Sequence, residues 1–111
     1  MVAFNGCADQ YDHDPLTART GKRVRIWVLA AGPNESSAFH VVGGQFDTVF
    51  REGTYDLTRG RSRSGGAQVL DLAPASGGFV ELSFPQAGDY PFVTHVMSDA
   101  EWGAHGVFRA R

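Results

Sequence analysis

Apolar and polar residues alternate with a period of two over several short stretches of this chain, and no stretch sustains a helical period. Arg23-Val24-Arg25-Ile26-Trp27-Val28-Leu29-Ala30 puts Val24, Ile26 and Val28 on one face and then turns wholly apolar, which predicts a strand entering a core. Gly32-Pro33-Asn34 ends it, because proline has no N–H to give a ladder. Ala38 to Val42 predicts a short strand with His40 at its middle, Gly43-Gly44 a turn or bulge, and Thr48 to Arg51 another strand. Tyr55 to Gly66, rich in Arg, Ser and Gly, reads as an exposed loop, followed by a strand over Ala67 to Leu72. Val80, Leu82 and Phe84 alternate with Phe79, Glu81 and Ser83 as a half-buried strand. Tyr90 to Val96 and Gly103 to Arg109 are the last two strands. Between them Ser98 to Trp102 predicts one helical turn, with Ser98 as its cap and Glu101 at the third helical position. At the start, Val2 to Asn5 predicts a short strand, and the polar run from Cys7 to Pro15 a loop. Roughly seven or eight short strands punctuated by turns indicate an all-β fold, a sandwich or small barrel.

Composition narrows the function classes. A chain of 111 residues fits one domain, and 42% hydrophobic with 20% charged residues is globular rather than disordered. A formal net charge of -2 argues against nucleic acid as a partner, since a phosphate backbone needs a cationic surface. Arg59, Arg61 and Arg63 are a local exception and read as a solvated loop. No apolar run reaches the roughly 20 residues of a membrane helix, so no membrane segment is expected in the chain, and no stretch reads as a signal peptide. Cys7 is the only cysteine. Met1 directly before Val2-Ala3-Phe4-Asn5-Gly6 reads as a trimmed start.

The chemistry on offer is mostly imidazole. His13 lies in a polar loop, whereas His40, His95 and His105 each lie in or beside an apolar strand. Imidazole nitrogens suit copper, zinc, nickel or iron. The same pattern is met by partly buried histidines that donate to backbone carbonyls. No HExxH, CxxC or tight His-Cys-His cluster is present, which removes zinc-hydrolase and iron–sulfur readings. A blue copper centre needs a thiolate beside two histidines, and Cys7 is far from any histidine-bearing strand end. Ser36, Ser37, His40 and Asp99 could form a hydrolase triad on paper, but no Gly-x-Ser-x-Gly elbow supports it.

Ser37-Ala38-Phe39-His40-Val41-Val42-Gly43-Gly44-Gln45-Phe46-Asp47 resembles the histidine segment in the second domain of copper-containing nitrite reductases. Pro85-Gln86-Ala87-Gly88-Asp89-Tyr90-Pro91-Phe92-Val93-Thr94-His95 and Gly103-Ala104-His105-Gly106-Val107-Phe108 continue the resemblance in the same order. The likeness covers nearly the whole chain and extends to the cupredoxin domains of multicopper oxidases. It implies a cupredoxin-like Greek-key β-sandwich over residues 1–111, as the C-terminal domain of a longer, trimeric copper oxidoreductase outside the cytoplasm. It also implies that His95 is a type 2 copper ligand and that His40 is the active-site histidine that delivers a proton to bound nitrite. The remaining ligands would come from another cupredoxin domain or a neighbouring subunit, so the chain alone is expected to be inactive. His105 stands where such proteins carry a small or apolar residue, and it is kept as a further candidate metal ligand. A metal-free assembly module and an independent copper-binding domain using His40, His95 and His105 remain alternatives. Trp27, Trp102 and Phe108 are candidates for assembly contacts or for core packing.

Overall fold

A computed structural model describes residues 2–32, 34–60 and 66–111. Its elements are α1 (Gln10–His13), β1 (Asp14–Ala18), β2 (Arg23–Leu29), β3 (Ser37–Val41), β4 (Thr48–Arg51), β5 (Thr54–Leu57), β6 (Val69–Leu72), β7 (Gly77–Ser83), β8 (Gly88–Thr94), α2 (Met97–Glu101) and β9 (His105–Ala110). They form a five-stranded sheet ordered β1-β9-β8-β3-β6 and a four-stranded sheet ordered β2-β7-β4-β5. Only β1 and β9 run parallel; the other pairs are antiparallel. Alternate residues of both sheets meet in one core, where Val41, Leu70, Leu72, Val80, Leu82 and Phe84 are fully buried. The expected β-sandwich is therefore what forms.

Four local expectations are corrected. Val2 to Asn5 is not a strand; Phe4 instead turns inward, with its ring 5.4 Å from that of Phe92. The supposed loop from Cys7 to Pro15 contains α1 and the start of β1, an edge strand that tolerates Pro15. Thr54–Leu57 is a strand because Glu52 and Gly53, both at positive φ (51° and 109°), close a tight hairpin onto β4. Helix α2 begins at Met97 with Val96 as its cap residue, and Ser98 makes no cap, because the Val96 carbonyl already accepts from the Asp99 and Ala100 N–H groups. Arg61 and Arg63 of the arginine-rich segment lie outside the described residues.

Strand β7 was expected to be half-buried, yet Phe79 on its outer face is only 4% exposed. Phe50 stacks on it at 5.0 Å, Trp27 lies at 4.7 Å, and the Arg25 guanidinium sits 4.2 Å from its ring centre. Trp27, which covers Phe79, is itself mostly exposed, as is Trp102 at the end of α2, whereas Phe108 belongs to the core.

Beside this cluster, Arg23 clasps Asp47 through bonds of 2.6 and 2.7 Å and reaches Glu81 at 3.2 Å. The guanidinium holds the Asp47 carboxyl below the usual aspartate range, and the Thr48 hydroxyl adds to the effect. A carboxyl whose native value is depressed stabilises the fold above its unfolded value, about 3.9, and loses that contribution as pH falls through the native value. Both side chains are about a third exposed, so solvent screening keeps the contribution small. Asp47→Asn is expected to lower stability slightly at neutral pH and to flatten its fall below about pH 4. Denaturant unfolding across pH checks this; identical acid limbs for the two proteins contradict it.

Candidate functional site

The site follows from strand phase. In the pairing of β3 with β8, Phe39 faces Thr94, His40 faces Val93 and Val41 faces Phe92. Phe39, Val41, Phe92 and Thr94 point into the core, so His40 and Val93 must point out of the five-stranded sheet. His95 follows the end of β8, and its backbone N–H donates to the Ala38 carbonyl at 2.7 Å. Two histidines 55 positions apart in the chain are thereby brought together: their ring centres lie 5.0 Å apart at a 45° tilt.

His40 has a defined tautomer. Its Nδ1 lies 2.6 Å from the Gln68 carbonyl oxygen, which can only accept, so Nδ1 carries the proton and donates. In the neutral ring the lone pair is then on Nε2. A ring nitrogen anchored on a carbonyl is the arrangement that orients imidazoles toward metals and bound anions. Exposed apolar side chains lie nearby in the chain and sheet: Val69, paired with His40, and Val42 and Met97. A shallow groove of about 420 Å³ on the His105 side is lined by Pro91, Val93, Met97 and Val107 together with Asp12, Glu101 and His105.

His105 shares the face but not the pair. It lies opposite Val93, which lies opposite His40, so two strand spacings of about 4.8 Å separate the two histidine positions. Its Nε2 is 2.7 Å from Asp9 and its Nδ1 is 2.9 Å from Asp12. The ring is thus held between two carboxylates, one at each nitrogen. Asp9, Asp12 and His105 are also the only three His, Cys, Asp or Glu groups among the described residues with donor atoms close enough to share an ion. Among the described residues, His40 and His95 have no third such donor within that reach. The spacing of Asp9 and Asp12 across one turn was the sequence signal for this cluster, concealed in a stretch read as loop.

The triad considered from sequence is not assembled. Ser36, Ser37 and Asp99 line a small cavity of about 110 Å³ that excludes His40. Ser37 Oγ is bonded to Thr94, and Asp99 shares a hydrogen bond with Glu35 that raises the Glu35 carboxyl. His40 faces a carbonyl rather than a carboxylate. Cys7 is exposed and reduced, in the N-terminal segment before α1.

Known proteins show the same architecture. The chain is 34% identical over 95 residues to a copper-containing nitrite reductase of Neisseria gonorrhoeae, a match covering 85% of this chain and 23% of that protein. A Cu-containing nitrite reductase from Thermus scotoductus superimposes with a TM-score of 0.84 at 36% identity, over 98% of this chain and 25% of the other. The copper nitrite reductase of Nitrosomonas europaea gives 0.82 at 31% identity, over 98% and 39%. A multicopper oxidase gives 0.83 at 25% identity, over 98% and 36%. No protein-family model matches the chain. The chain thus spans about a quarter of the length of the curated relative it matches. No helix among the described residues is long and apolar enough to cross a membrane.

The clasp on His105 generates a test. His105→Ala removes both anchors between β9 and the segment that carries α1, while the Tyr11 and Phe4 rings still pack on Phe92. The groups are partly exposed, so the expected loss of global stability is about 1 kcal/mol or less. Amide hydrogen exchange in residues 9–13 should rise well above that of the strands. Unchanged exchange there would contradict the clasp.

Proposed function

Taking as premise that this chain is a cupredoxin-like domain homologous to one stretch of copper-containing nitrite reductases, we propose that it is the C-terminal domain of a nitrite-reductase-like multicopper oxidase. In this reading His95 supplies one ligand of a type 2 copper, and His40 is the acid/base beside it. The observation that carries the reading is the outward-facing imidazole pair, 5.0 Å between ring centres, with no third donor in reach among the described residues.

The donor set fits copper in kind and falls short in number. Neutral imidazole is a good ligand for copper, but a catalytic centre needs several fixed ligands and one open position. Two neighbouring imidazoles on an open sheet face cannot supply that set. The exposed apolar side chains of Val42, Val69 and Met97 suit the docking of another cupredoxin domain, from the same parent or a neighbouring subunit, that brings the remaining ligands. A trimer and an extracytoplasmic setting belong to the same reading.

When bound, the copper would supply one-electron reduction of a coordinated oxyanion such as nitrite. The residues of this chain would hold and pass a proton. His40 Nδ1–H stays on the Gln68 carbonyl in both protonation states, so only Nε2 changes. The protonated Nε2 donates to an oxyanion oxygen and, after transfer, accepts from water. Without the partner domain the chain does neither and is inactive.

Copper titration followed by native mass spectrometry tests the reading. The expected result is no tight copper on the monomer, with residual weak binding lost in His95→Ala and kept in His105→Ala. One tight copper on a monomeric chain would instead establish an independent copper-binding domain. One tight copper per trimer of this chain would move the missing ligands to other copies of it. Copper-free oligomers that form with rising concentration, and are indifferent to His95→Ala, would favour the assembly module.

A further inference from the structure

We propose that Thr94 is the positioning residue of the imidazole pair: its buried hydroxyl ties the end of β8 to β3 and thereby fixes where the His95 ring stands against His40. The proposal deepens the copper reading by naming what holds that site in shape, and its geometric part stands without metal.

Thr94 and Thr48 are the only buried polar side chains among the described residues, and Thr94 is 4% exposed. A hydroxyl among Phe39 and Phe92 is unfavourable unless its hydrogen-bonding capacity is used. Here it has three partners. Thr94 Oγ1 accepts from the Ala38 N–H at 3.3 Å, from the Val96 N–H at 3.4 Å and from the Ser37 hydroxyl at 3.2 Å.

The bonds fall at one structural joint. Strand β8 ends at Thr94, and the chain turns into α2 at Met97, so His95 sits where ladder pairing stops. In an antiparallel strand one residue turns its N–H and C=O to the same neighbour. Ala38 turns both toward β8: its C=O accepts the His95 N–H at 2.7 Å, and its N–H finds the Thr94 hydroxyl in place of a ladder carbonyl. The next amide, that of Val96, is held by the same oxygen. The amide that follows His95 and an amide of the facing strand β3 are therefore held by one buried atom. That atom is bonded to the stretch of β3 two residues before His40. Valine has the shape of threonine without the hydroxyl and would leave the Ala38 and Val96 amides unpaired.

NMR of the metal-free chain tests this with Thr94→Val and Thr94→Ser. The wild type should give a through-space cross-peak between the His40 and His95 rings and slow exchange of the Ala38 and Val96 amides. Thr94→Val should lose the cross-peak and exchange both amides about tenfold faster, the effect of one net hydrogen bond. Thr94→Ser, which restores the hydroxyl, should recover both signals. Retention of the cross-peak and slow amides in Thr94→Val would overturn the proposal. If Thr94→Val does not fold, loss of the cross-peak in Thr94→Ser, or rapid exchange of the Val96 amide in the wild type, overturns it equally. These signals are read without copper. A chain that shows them and still never places copper at His95 contradicts the copper reading and leaves the role of Thr94 standing.

Discussion

The register of β3 against β8 is the constraint on which the site depends. Side chains alternate along a strand, so the pairing that buries Phe39, Val41, Phe92 and Thr94 necessarily drives His40 out of the sheet. A slip of one residue would put His40 in the core and Phe39 in water. The imidazole pair is thus maintained by the burial of its neighbours more than by any interaction between the two rings. The Gln68 carbonyl on the next stretch of chain then sets the tautomer, and the joint after Thr94 sets the second ring.

That arrangement is what the proposed shared copper site rests on. The outward face of the five-stranded sheet offers two neighbouring imidazoles, exposed apolar side chains and, among the described residues, no further donor beside the pair. An isolated metal site would be built with its ligands converging from several strands. In the proposed reading the remaining ligands come from another protein surface that covers this face. The third histidine of that face, His105, is committed to Asp9 and Asp12 and serves to hold the N-terminal segment against β9.

Much of the fold was legible in the sequence because its central strands carry a strong period of two. Val24, Ile26 and Val28, and Val80, Leu82 and Phe84, announce their strands and their buried faces. What escaped was held by long-range contacts or by backbone geometry. The edge strand β1 contains Pro15 and little alternation, and it forms because β9 offers a parallel partner. The hairpin of β4 and β5 depends on positive φ at Glu52 as well as Gly53, and Glu is an unusual signal for that conformation. Phe79 looked like a solvent-facing position and is buried by aromatic neighbours on β2, β4 and β5. Of the site, the histidines themselves could be picked out as residues on apolar strands. Their grouping could not, because it depends on which strands pair and in which register.

Which imidazoles meet copper first is the most direct question to put to this account. Long-range proton–nitrogen NMR spectra of the histidine rings, recorded as Cu(II) is added well below one equivalent, answer it. The account predicts that the ring signals of His95 and of His40 broaden together, that the His40 spectrum shows the Nδ1–H tautomer before metal is added, and that His105 and His13 keep their lines. Broadening of His105 ahead of His95, or a His40 ring protonated on Nε2 alone, would contradict it.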